Sequence, residues 1–111
     1  MAYTISTAQK TFFDSKGYLI LRDVLNSEEA ADLGHWAQEV HDLPRTAETP
    51  WMPYEEINAV GKRVLCRTEN YANYHAKLNG LLRGDKMLSL GQLAGEDMLL
   101  FKEKSKLYNK G

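Results

Sequence analysis

The sequence predicts an α+β fold in which helices outweigh strands. Three observations carry this reading. Stretches with apolar residues at three-and-four spacing mark core-facing helices, among them Ala30, Leu33, Trp36, Ala37 and Val40. Three short apolar runs, Tyr18 to Leu21, 63–68 and Met98 to Lys102, read as strands. Gly17, Pro44, Gly84 and Gly95 fall where elements should stop.

Taken in order, residues 7–15 predict a short helix with Thr7 as N-cap, Phe12 and Phe13 on its apolar side, and Gly17 as its stop. Tyr18-Leu19-Ile20-Leu21 opens a strand directly after that glycine. Asn26 and Glu29 have capping-box spacing, so a helix should run from there to Val40 or His41, with Pro44 closing it. Between Arg45 and Lys62 the periodicity dissolves around Pro50, Trp51, Pro53 and Tyr54, which predicts a long loop of the lid or binding kind. RVLCRT, residues 63–68, is the second strand. Tyr71, Tyr74, Leu78, Leu81 and Leu82 mark a second core helix ending near Gly84. Asp85 caps a third, with Met87, Leu88, Leu90 and Leu93, before the last strand. Three strands give the helices little sheet to cover, which suggests that further strands belong to this fold.

The whole chain has 111 residues and a net charge of −1, with 43% apolar and 26% charged residues. That is at most one domain of ordinary soluble composition, with no basic field for nucleic acid. The single cysteine, Cys66, has no internal disulfide partner, which fits a reducing compartment. The N-terminus lacks a signal-peptide pattern and no stretch reaches membrane-spanning length, so the expected address is cytoplasmic, with no membrane partner.

Chemistry-bearing residues are sparse. His35 and His41 lie six apart on one predicted helix, about 240° around its axis, and cannot share a metal. His75 has Lys77 and Asn79 near it rather than a carboxylate at ligand spacing. No histidine begins an H-x-D or H-x-E triplet. Cys66 reads as a strand residue rather than a nucleophile, and Gly61-Lys62 lacks the upstream glycine of a phosphate loop. Trp51, Tyr54, Tyr71 and Tyr74 could line an apolar pocket, although packing of loop on helix explains them more simply. Lys102, Lys104 and Lys106 would point one way on a strand, as a solvated edge that discourages pairing or as an anion-binding row.

Three stretches, "FFDSKGYLILRDVLNSEEAADLGHWAQEV", "RVLCRTENYANYH" and "LAGEDMLLFKEK", occur in this order and together span most of residues 10–104. They resemble the N-terminal portion of phytanoyl-CoA dioxygenase-like (PhyH) proteins. The resemblance implies a mononuclear Fe(II)- and 2-oxoglutarate-dependent oxygenase on a double-stranded β-helix, or jelly-roll, core. It implies that residues 1–111 are a single partial domain: the helical portion with a few strands, truncated before the core is complete. The family's iron site, an H-x-D motif plus a distant histidine, would follow the last stretch, so no residue here is assigned to metal. This chain alone is then expected to carry no cofactor and to be inactive, while the full-length family uses Fe(II) and 2-oxoglutarate on a small-molecule substrate, hydrophobic or a natural product.

One site residue is carried over. Lys102 in "LLFKEK" occupies the position that supplies a polar side chain, lysine in some members, to 2-oxoglutarate. The ending "KSKLYNKG" departs from the family pattern after Glu103 or Lys104, and "MLSLGQL" is one apolar residue short of it. The expectation is therefore the front part of something larger, a truncated or spliced product. The alternative is a non-catalytic module that binds a small molecule or partners an oxygenase, self-associating or pairing through an open sheet edge.

Overall fold

Two capping boxes set the helical half of the molecule. The computed structural model describes residues 3–95 and 98–107. In helix α1 (Thr7–Lys16), the Ser6 hydroxyl accepts from Gln9 N–H at 3.1 Å and the Gln9 amide returns the bond to Ser6 N–H at 2.8 Å. The cap is thus one residue earlier than expected, and Thr7 is the first helical residue. Gly17 ends the helix at φ 80°, a left-handed conformation that costs glycine little. In α2 (Ser27–His41) Asn26 and Glu29 make the expected reciprocal pair, at 2.8 and 3.0 Å.

The sheet differs more from expectation. Strand β1 (Met52–Ile57) lies inside the stretch read as a loop, and it pairs antiparallel with β2 (Arg63–Glu69). Their turn is built on Asn58, whose side-chain oxygen accepts from Val60 and Lys62 N–H, while Gly61 takes φ 79°. Register shifts between Tyr54 and Glu55, a bulge that lets one edge of the hairpin bend. Strand β3 (Lys104–Ser105) covers only the end of β2, giving the order β1-β2-β3. Neither Tyr18 to Leu21 nor Met98 to Lys102 is a strand: both lack a ladder partner among the described residues, and Ile20, Leu99 and Phe101 face outward.

After β2 comes a 3₁₀ turn (Ala72–Tyr74), then α3 (Ala76–Leu82) and α4 (Asp85–Gly91). The helix expected from Tyr71 therefore starts later, because His75 turns extended and caps α3 with its ring. Val40, Tyr71 and Leu78 form the buried core, with Leu33, Trp36, Leu43, Trp51, Leu81 and Leu82 packed around it. It sits where α2, α3 and the end of β2 meet. Among the described residues helix α1 packs on no other helix or strand. The radius of gyration is 16.8 Å, against about 13 Å for a compact domain of this length.

Candidate functional site

Chemically the densest place is the end of β2, where a carboxylate is buried among cations. Glu69 retains 8% of its side-chain exposure; Arg67 Nε lies 3.4 Å from Oε2 and Lys102 Nζ 3.6 Å from Oε1. Arg67 and Glu69 meet because residues two apart on a strand share a face. The Arg67 guanidinium also lies 4.1 Å from the centre of the Tyr54 ring, which sits opposite it in the ladder. Burial pushes the Glu69 carboxyl upward, but Arg67, Lys102 and Tyr54 together outweigh burial and hold it below the usual carboxylate range. Beside it, Glu103 accepts from Ala72 N–H at 2.8 Å, fastening the β3 segment to the turn after β2. Burial, and then Glu103, raise the Tyr71 hydroxyl.

Lys102, the residue carried over as an oxoglutarate contact, is thus already paired with a carboxylate, yet two-thirds of its side chain remains in water. Lys102 also borders an open groove of about 470 Å³ whose apolar wall includes Leu82, Met87, Leu88, Met98, Leu99 and Phe101. Leu99 and Phe101 are 87% and 96% exposed, so that end of the wall lies open to solvent, while Leu82 packs against the core. Glu69, Arg67 and Glu103 were missed as site residues. The signal was the alternation in RVLCRTE, which puts Arg67 and Glu69 on one face once the strand is carried one residue further.

The other candidates do not converge. His35 and His41 both lie on α2, and His75 bonds Glu39 rather than another histidine. Among the described residues no group of three or more His, Cys, Asp or Glu could hold a metal ion. Fe(II) therefore has no fitting ligand set among them. Cys66 is half-buried on β2, and burial, with Glu56 nearby, raises its thiol. The aromatic cluster divides: Tyr71 joins the core, while Trp51 stacks edge-on with Tyr74 at 5.8 Å and donates its Nε1–H to Pro44 O at 2.8 Å. Trp51 thus fastens the chain after Pro44 to the 3₁₀ turn. No described helix is long and apolar enough to cross a membrane.

The chain is related to dioxygenases over most of its length. It is 38% identical over 98 residues to the 2-aminoethylphosphonate dioxygenase of the uncultured bacterium HF130_AEPn_1, which is 86% of this chain and 37% of that protein. It is 32% identical to the methylphosphonate hydroxylase of Gimesia maris, over 94% of this chain and 40% of the relative. The dioxygenase lolE1 of Epichloe uncinata is also 32% identical, over 89% and 39%. The chain thus spans about two fifths of the length of the curated relatives it matches. No family model and no solved structure matches it.

Proposed function

We propose that this chain is the helical portion of a PhyH-like Fe(II)- and 2-oxoglutarate-dependent dioxygenase, on the α+β margin of a jelly-roll whose remaining strands would carry the iron ligands. The parent reaction is hydroxylation of a small organic molecule, with oxidative decarboxylation of 2-oxoglutarate to succinate. Two of the three relatives are named for phosphonates, so small phosphonates are the first substrates to try. The observation that carries the proposal is sequence likeness to dioxygenases over 86–94% of the chain. Lys102 is the residue proposed to meet a carboxylate of 2-oxoglutarate, as a mobile point charge.

The test is a chimera in which this chain replaces the segment it matches in 2-aminoethylphosphonate dioxygenase. With Fe(II), 2-oxoglutarate and either 2-aminoethylphosphonate or methylphosphonate, the chimera should release succinate, and Lys102→Met should raise the KM for 2-oxoglutarate. A chimera that melts cooperatively but releases no succinate above an iron-free control overturns the reading. The groove beside Lys102 favours a second reading, a non-catalytic module for a small apolar ligand. In that case the chain alone should bind an apolar fluorescent probe, and Leu88→Asp should abolish the binding.

A further inference from the structure

We propose that His75 is a proton-sensitive cap, which holds α3 against α2 when neutral and releases the first turn of α3 when protonated. The ring has two distinct bonds. Nδ1 accepts from Leu78 N–H at 3.0 Å, and Nε2 lies 2.9 Å from Glu39 Oε2. A nitrogen that accepts cannot also carry a proton, so the neutral ring holds its hydrogen on Nε2 and donates it to Glu39. One imidazole therefore satisfies an otherwise orphaned amide of α3 and reaches across to α2. Its side chain is 9% exposed, so water does not readily replace the part-buried bond to Leu78.

Protonation sets the two bonds against each other. The imidazolium is a donor at both nitrogens, so Nδ1–H would confront Leu78 N–H and the cap must break. The ion pair with Glu39 strengthens at the same time, but Glu39 is mostly in water and such a pair holds weakly. The new charge also lies at the N-terminal end of α3, where the helix dipole disfavours a cation. Among the described residues no other element packed on α3 supplies a counter-charge near the ring. The 3₁₀ turn carries Tyr74 and no carboxylate, while Glu103 is engaged by Ala72 N–H. Asp85 and Lys86 of α4 follow the far end of α3, and Lys86 is bound to Glu29 and to Val24 O. On α3 itself Lys77 is a further cation, which adds to the repulsion.

The consequence reaches the core, because the capped amide belongs to Leu78 and Glu39 precedes Val40, two of the three clustered core residues. Acidification should loosen the contact between α2 and α3 first. Hydrogen exchange on the full chain tests this between about pH 8 and 5, the interval in which imidazoles change charge. After correction for intrinsic exchange, protection of the Leu78 amide should fall roughly five-fold, the equivalent of one lost N-cap. The Glu29 amide, capped by the non-titrating Asn26, should keep its protection. His75→Asn supplies a cap that does not titrate and should abolish the pH dependence. Constant Leu78 protection, an unprotected Leu78 amide at every pH, or a pH dependence that survives in His75→Asn each overturns the proposal. So does a nitrogen-15 spectrum of the neutral ring with its proton on Nδ1.

Discussion

Val40→Ala should cost this protein a large share of its stability, because the core it belongs to is small. Val40 is 0% exposed and lies in a cluster with Tyr71 and Leu78, ringed by six half-buried apolar residues. Removing two methyl-sized groups forfeits about 1.6 kcal/mol of transfer free energy at ~0.8 kcal/mol each. The cavity left under Trp36 and Leu78 raises the loss to about 2–3 kcal/mol, since neighbours relax only in part. Against the ~5–15 kcal/mol of an ordinary domain that is large, and it corresponds to roughly 10–20 °C in Tm. The assay is a thermal melt followed by near-ultraviolet circular dichroism, where Trp36 and Trp51 report packing, with Phe101→Ser as control. Phe101 is 96% exposed, so its replacement should leave the melt within a few degrees and reduce light scattering. A Val40→Ala melt equal to wild type would refute the placement of the core, and a Phe101→Ser melt as low as that of Val40→Ala would refute the exposed wall.

Three further outcomes can be checked on the same material. The backbone N–H of Asn26, then Lys86, hold the Glu29 carboxyl below its ordinary value of 4.5. Its folded-state value is therefore depressed, and its stabilisation is complete above that ordinary value and lost as pH falls through the depressed one. Melts between pH 7 and 3 should fall more steeply for wild type than for Glu29→Gln. Burial keeps the Cys66 thiol protonated, so a disulfide reagent at neutral pH should label it slowly when folded and fast in denaturant. Lys86→Met should lower Tm, because it leaves Val24 O and Glu29 without the ammonium bound at 2.6 and 2.8 Å.

Local signals in the sequence proved more legible than pairing. The Asn26–Glu29 box, the αL glycine after α1 and the apolar stripe of α2 depend on neighbours three or four residues away, so they can be read from one strip of chain. Strand β1 could not be: Pro53, Glu55 and Glu56 give it an edge strand's polar composition, and only pairing with β2 makes it a strand. The converse holds for Tyr18 to Leu21 and Met98 to Lys102. Their apolar runs have strand composition, but composition is not a partner, and among the described residues neither run finds one. At the candidate site Lys102 stands out in the sequence both as one of three alternating lysines and through the role that the resemblance assigns it. Glu69 is not legible in a strand that ends at Thr68, since it is covered by ladder neighbours on both sides and its partner Lys102 lies 33 positions along the chain.

That contact bears on how the proposed role of Lys102 could work. A lysine that must reach a mobile carboxylate ligand needs to be ordered enough to be found and loosely enough held to be taken. The Lys102 ammonium stands 3.6 Å from Glu69 in a pair whose lysine side is two-thirds in water, so desolvation has not been completed on its side and the bond is readily exchanged. Glu69 does not become an orphan when Lys102 leaves, because Arg67 keeps its own contact with the other carboxylate oxygen. Lys102→Met should accordingly leave the fold intact, with a Tm close to wild type, whereas Arg67→Met should destabilise it by removing the strongest support of a buried carboxylate and leaving it to a mostly solvated lysine and Tyr54. If the two variants melted alike, Arg67 would not be the anchor and Lys102 would not be free to exchange one carboxylate for another.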